Sequence, residues 1–118
     1  MMFLMFVLFG LFVQDGELTY ERAYEEHLRG KPMLVLCGAE WCGPCQKMKT
    51  TLKDMKERGD LENLAVAYVD IDKQPELFEK MKVGNSVPQV HYFVKGRKLS
   101  LKGIQDRIRL KRLFKDLQ

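Results

Sequence analysis

Ala39-Glu40-Trp41-Cys42-Gly43-Pro44-Cys45 is the stretch on which the reading of this chain turns. It places two cysteines two residues apart, shortly after the apolar run Met33 to Cys37 and at the start of a helical pattern. No second CxxC accompanies it. In a short chain that spacing reads first as a redox dithiol. The thiolate is the nucleophile, and a helix start favours it through free N–H groups and the positive end of the dipole. Pro44 suits the first turn of the helix, where the missing N–H costs nothing. Cys45, Met48, Leu52 and Met55 then recur as one apolar stripe, with Lys47, Lys49, Lys53 and Lys56 off it and Gly59 as its stop.

Working outward, Tyr20, Ala23, Tyr24 and Leu28 fall at helical spacing behind Thr19 as N-cap, and Gly30-Lys31-Pro32 ends that helix. Met33 to Cys37 is a continuous apolar run, which reads as a strand buried on both faces. Leu64 to Ile71 repeats that pattern. Pro75 to Met81 reads as a short helix with Leu77, Phe78 and Met81 inward. Gln89 to Val94 reads as an alternating strand, joined through a tight turn at Lys95-Gly96 to a strand over Arg97 to Leu101, which Gly103 closes. Ile104, Ile108, Leu113 or Phe114, and Leu117 give the inward positions of a final amphipathic helix. The first helix is thus followed by a βαβαββα order, an α/β pattern.

The bulk properties narrow the classes. A chain of 118 residues suits one domain, and 46% hydrophobic with 31% charged residues is a globular composition. The net charge of +4 gathers late, from Lys95 to Lys115, where only Phe114 interrupts the final basic stretch. A nucleic-acid surface calls for interleaved aromatics, so no nucleic-acid partner is expected. Three cysteines are too few for a stapled mini-protein, and Cys37 reads as a small buried core residue. Structural zinc needs four ligands; beyond the CxxC only His27, His91 and Cys37 remain, so no metal is expected.

Met1 to Val13 is uncharged and almost wholly bulky apolar. As a helix it would span roughly 20 Å, short of the roughly 30 Å of a bilayer core. Two readings stay open. It is a signal or anchor, although no Lys or Arg precedes it and no small-x-small cleavage site follows; or it is an enlarged first strand, with Leu11 to Val13 pairing at the sheet edge. The chain is therefore divided into an apolar segment, 1–13, and a domain, 14–118. The first reading implies an exported or membrane-associated protein with membrane contact through Met1 to Val13, the second a cytoplasmic one.

With that order around Trp41-Cys42-Gly43-Pro44-Cys45, residues 17 to 118 resemble the thioredoxin family. The resemblance is carried in several separate places: Ala39 to Cys45 matches the active-site segment, Val69-Asp70-Ile71-Asp72 the end of the central strand, Val87-Pro88 the cis-proline, and Gly96 and Gly103 the hairpin and groove glycines. It implies a thioredoxin fold, a central mixed β-sheet flanked by helices on both faces. It also implies a protein disulfide reductase without cofactor. Cys42 is then the exposed attacking thiolate and Cys45 the buried resolving thiol. Trp41, Gly43, Pro44, Val87, Pro88 and Gly103 are the expected substrate-binding residues, with the Val87 backbone offered to an extended segment. Its partners would be protein disulfides and an electron donor of the thioredoxin-reductase type.

The chain departs from the family at four positions. A buried aspartate that serves the resolving cysteine is replaced by Leu36, and the lysine that pairs with it by Tyr68. Water or Glu40 substitutes for the acid, or Cys45 loses its proton less readily, since apolar burial raises a thiol's pKa. Gly38 stands where tryptophan is common and implies a thinner wall to the site. Thr50 replaces a helix-kinking proline. Two further functions compete with a protein disulfide reductase: a binding or assembly module in which the dithiol is secondary, and an exported, membrane-tethered reductase.

Overall fold

The computed structural model describes residues 19–116. The segment Met1 to Val13 and Leu117 lie outside the described residues, so neither reading of the apolar segment is resolved by it. Among the described residues no helix is long and apolar enough to cross a membrane.

The elements follow in the order α1 (Tyr20–Leu28), β1 (Met33–Gly38), α2 (Gly43–Glu57), β2 (Ala65–Asp70), α3 (Pro75–Met81), β3 (Gln89–Val94), β4 (Arg97–Lys102) and α4 (Arg107–Asp116). The four strands form one sheet in the order β2-β1-β3-β4. β1 runs parallel to β2 and antiparallel to β3, and β3 is antiparallel to β4, so the sheet is mixed. Side chains alternate across it. One face, with Leu34, Leu36, Val90 and Tyr92, packs on Met48, Leu52 and Met55 of α2 and on Leu110 and Phe114 of α4. The other, with Met33, Val35, Ala67 and Val69, packs on Ala23 of α1 and Phe78 of α3.

The register decides where the site lies. Gly38 pairs with Asp70, Cys37 with Gln89, and Gln89 with Lys102. The loop after β1, the loop after β2, the loop before β3 and the residue after β4 therefore all emerge at one end of the sheet. The Ile71 amide donates to the Gly38 carbonyl at 2.9 Å, and the Gly103 amide to the Pro88 carbonyl at 2.9 Å, which ties these loops in pairs.

Thr19 occupies the N-cap of α1 as expected, although its side chain makes no capping hydrogen bond. Two expectations are corrected. β3 does not alternate between core and solvent: five of its six residues are buried, since it lies between two strands with helices over both faces. The buried set includes Gln89 and His91, which bond each other through Nε2 and Oε1 at 3.0 Å. The final helix has a different phase. It begins at Arg107, leaving Ile104 in the preceding loop, and Ile108 is 70% exposed while Leu110 and Phe114 face the sheet.

Two outcomes follow from the packing. Leu110→Ala removes a fully buried side chain and should cost about 2–5 kcal/mol, whereas Ile108→Ala should stay within about 0.5 kcal/mol, as read from denaturant midpoints. His91 has its pKa pushed down to about 4 from 6.5, by burial first and then by the charges of Lys98 and Lys102. Its folded form is neutral, so its contribution is complete above pH 6.5, erodes as the pH falls from 6.5 toward 4, and is level below that. His91→Gln should flatten that part of the melting-temperature profile.

Candidate active site

Cys42 and Cys45 are joined as a disulfide across the first turn of α2. Cys42 is the N-cap of this helix, with extended backbone angles, and its sulfur accepts the Cys45 amide at 3.2 Å. A helix N-terminus presents unpaired amides, and here one of them is spent on sulfur. Gly43 and Pro44 form the first helical positions, and both are exposed. Cys45 is 0% exposed and Cys42 6%, so the pair is reached from the Cys42 side. Ala39, Ile71 and Val87 pack around the two sulfur-bearing side chains.

The remaining expected residues converge on the same end of the sheet. Trp41 is 69% exposed, and its indole Nε1 donates to Asp72 Oδ2 at 2.8 Å. Val87 is half-buried against the cysteine cluster, and the Val87–Pro88 peptide is cis. Pro88 is buried, so the accessible surface at that loop is Val87 rather than the proline ring. Gly103 is exposed, with φ +86°, and sits beside Pro88 through the hydrogen bond to its carbonyl.

The departures from the family pattern have definite structural outcomes. Leu36 is fully buried in the core on the α2 side. Glu40 does not face the buried thiol: it is largely exposed, and its carboxylate pairs with Lys73 Nζ at 3.1 Å at the surface. Gly38 does not leave a thin wall, because the Tyr68 hydroxyl occupies that space. A Cβ on Gly38 would lie 2.9 Å from this hydroxyl and 2.8 Å from Cys45 Cβ. Thr50 continues α2 and donates to the Gln46 carbonyl at 3.0 Å. Cys37 is buried and free, and burial pushes its thiol up to about 12.

The roles of several supporting residues were not assigned from the sequence. Asp72 orients Trp41. Asp70 Oδ1 accepts the amides of Asp72 at 2.9 Å and Lys73 at 3.3 Å, which shapes the turn that holds Asp72. Gln89 Nε2 donates to the carbonyls of Val83 and Ser86, so a buried amide in β3 braces the loop carrying Val87 and Pro88. An Asp two residues after another at a strand end, and a polar residue directly after the X-Pro pair, were the available signals.

Comparison with known proteins agrees with this geometry. The family model described as Thioredoxin matches residues 16–117. The thioredoxin of Alicyclobacillus acidocaldarius is 32% identical over 75 residues, covering 63% of this chain and 70% of that protein. A bifunctional thioredoxin reductase/thioredoxin of Mycobacterium leprae is 34% identical over 67 residues, 57% of this chain and 14% of that protein. Among solved structures, a mutant thioredoxin from Halobacterium salinarum aligns with a TM-score of 0.64 at 29% identity, covering 75% of this chain and 76% of that one.

Trp41 is the only tryptophan, so its environment can be read directly. Asp72→Ala removes one hydrogen bond, worth about 1 kcal/mol at an exposed position, and should lower the steady-state fluorescence anisotropy of the indole. Asp72→Asn keeps a carbonyl acceptor and should restore most of it.

Proposed function

The chain belongs to the thioredoxin family of thiol–disulfide oxidoreductases, and on that premise we propose that Cys42 is its attacking thiol and Cys45 its resolving thiol in the reduction of protein disulfides. The observation that supports the assignment is the asymmetry of the pair. Cys42 caps the helix, takes the Cys45 amide on its sulfur and keeps the only exposure, while Cys45 is enclosed. Hydrogen bonding and the helix terminus both favour a thiolate at Cys42.

The cycle consumes two electrons. The Cys42 thiolate attacks one sulfur of the substrate disulfide, and the other substrate sulfur departs as a thiolate and takes a proton from water. Cys45, deprotonated, then attacks the Cys42 sulfur, and the bond from Cys42 to substrate breaks. Substrate leaves as a dithiol and the protein retains the Cys42–Cys45 disulfide, the form seen here.

The docking surface in this reading consists of Trp41, Gly43, Pro44, Val87 and Gly103, with Pro88 holding Val87 from below. An extended substrate segment would take main-chain hydrogen bonds from Val87, a short β-addition. A flavin-dependent reductase of the thioredoxin-reductase type is the electron donor in this proposal. Its support is the family, and the joining of a reductase with a thioredoxin in the Mycobacterium leprae relative.

Cys42→Ser should abolish reduction of insulin disulfides by dithiothreitol-driven turnover; retained activity would remove the assignment. Cys45→Ser should accumulate a covalent mixed disulfide between Cys42 and substrate, detectable by non-reducing electrophoresis and mass spectrometry. The Gly-Pro spacer resembles the reducing end of the family, so redox titration against glutathione should give a potential below roughly −200 mV.

A further inference from the structure

The face of the sheet that packs on α1 and α3 is apolar along β1, with Met33, Val35 and Cys37. On β3 the same face carries Gln89 and His91, which are 0% and 1% exposed. Polar groups at this depth cost stability unless each finds a partner. When all are satisfied, such a pair fixes one arrangement and makes its surroundings rigid.

The bonds here run in one direction. Gln89 Nε2 donates to the Val83 carbonyl at 3.1 Å and to the Ser86 carbonyl. Carbonyls only accept, so the amide nitrogen must face the loop and Oε1 must face away from it. Oε1 meets His91 Nε2 at 3.0 Å, so that nitrogen carries the proton. Burial first, and then the charges of Lys98 and Lys102, bring the His91 pKa down to about 4, and the ring is neutral at pH 7. A neutral imidazole protonated at Nε2 accepts at Nδ1. Ser100, paired with His91 across the ladder on β4, brings its hydroxyl to 2.7 Å from that nitrogen. The row from Ser100 through His91 and Gln89 to the loop carbonyls therefore admits a single assignment of donors and acceptors.

The loop at the end of this row has little else to shape it. The segment from Val83 to Val87 contains no helix or strand, and Gly84, Asn85 and Ser86 are exposed. Val83 and Val87 pack on the core at either end. Among the described residues, the hydrogen bonds to the backbone between them all come from the Gln89 amide. Pro88, the next residue, is held separately by the Gly103 amide. The backbone leading into Val87 thus takes its shape from Gln89, and Gln89 takes its orientation from His91.

We propose that His91 is a positioning residue for substrate docking: it locks the Gln89 amide, which holds the loop in the form that offers the Val87 backbone to an extended, disulfide-bearing segment. The proposal rests on Val87 being part of the docking surface. His91 is buried and acts through Gln89 rather than by touching substrate, and the chemistry at sulfur stays with Cys42 and Cys45.

The tautomer is read on the unmodified chain. Nitrogen NMR of the imidazole at pH 7 should show the proton on Nε2; a proton on Nδ1 would overturn the proposal, since Gln89 could not then face both neighbours. His91→Leu removes the donor, and His91→Gln returns an N–H close to the place of Nε2, with melting curves as the check on folding. In dithiothreitol-driven turnover, His91→Leu should raise KM for insulin disulfides about fivefold with kcat unchanged, the factor that corresponds to one neutral hydrogen bond. His91→Gln should keep KM near the wild-type value. Attack by Cys42 on a small aromatic disulfide, which does not use the loop, should proceed at the same rate in all three proteins. An unchanged KM in folded His91→Leu, or an equal loss on both kinds of substrate, would overturn the proposal. The amide NMR signal of Val87 should move in His91→Leu and return in His91→Gln. That shift and the tautomer need no substrate, so finding both in a chain that reduces no protein disulfide would support the brace and sink only the oxidoreductase assignment.

Discussion

Strand β1 is hydrogen-bonded along both edges and covered on both faces, and the functional loops hang from the strands that it aligns. Its residues are all buried, and each large apolar side chain among them contributes about 1.5–3 kcal/mol on leaving water. Because side chains alternate, Leu34 and Leu36 bind α2 and α4 while Met33, Val35 and Cys37 bind α1 and α3. A slip of one residue in β1 would exchange the two sets and carry the cysteine loop away from the loop before β3. The position of the dithiol relative to Val87 is thus a consequence of core packing more than of any contact between the two loops.

The helix that follows converts this position into chemistry. α2 is anchored along its length by Met48, Leu52 and Met55, so its first turn is held at the end of the sheet by contacts remote from it. Cys42 at its cap gains the amide of Cys45, and Cys45, one turn in, falls on the same buried stripe as the methionines. One helix start therefore produces two different sulfur environments from two chemically identical side chains.

Much of this was legible in the sequence. The α2 stripe, the apolar run of β1 and the short helix from Pro75 to Met81 carry strong periodic or boundary signals, and all three stand where the pattern puts them. α4 was misphased because Ile104 and Ile108 satisfy the helical spacing as well as Leu110 and Phe114 do; only the docking of the helix on the sheet separates the two sets. β3 was read as alternating because Gln89 and His91 look like a solvent face, yet a strand between two neighbours buries its polar side chains and makes them bond one another. At the site, the dithiol and the cis X-Pro were visible as motifs. Glu40 was not visible as a surface ion pair. Nor was the close approach of the Tyr68 hydroxyl to Gly38, since the two meet only through the parallel register of β1 and β2.

Cys37 lies at the end of β1, five residues before the dithiol, and its sulfur approaches Met81 Sδ at 3.9 Å on the opposite side of the sheet from α2. A thiol with a pKa near 12 is almost entirely protonated in the physiological range, and here it is also out of reach of solvent. The sheet thereby acts as an insulating layer between a reactive sulfur pair and an inert one-sulfur neighbour, and an odd cysteine count carries no cost in scrambled pairings while the fold holds. Any agent that titrates all three thiols under native conditions is reporting on the opening of the sheet, not on the redox state of the protein.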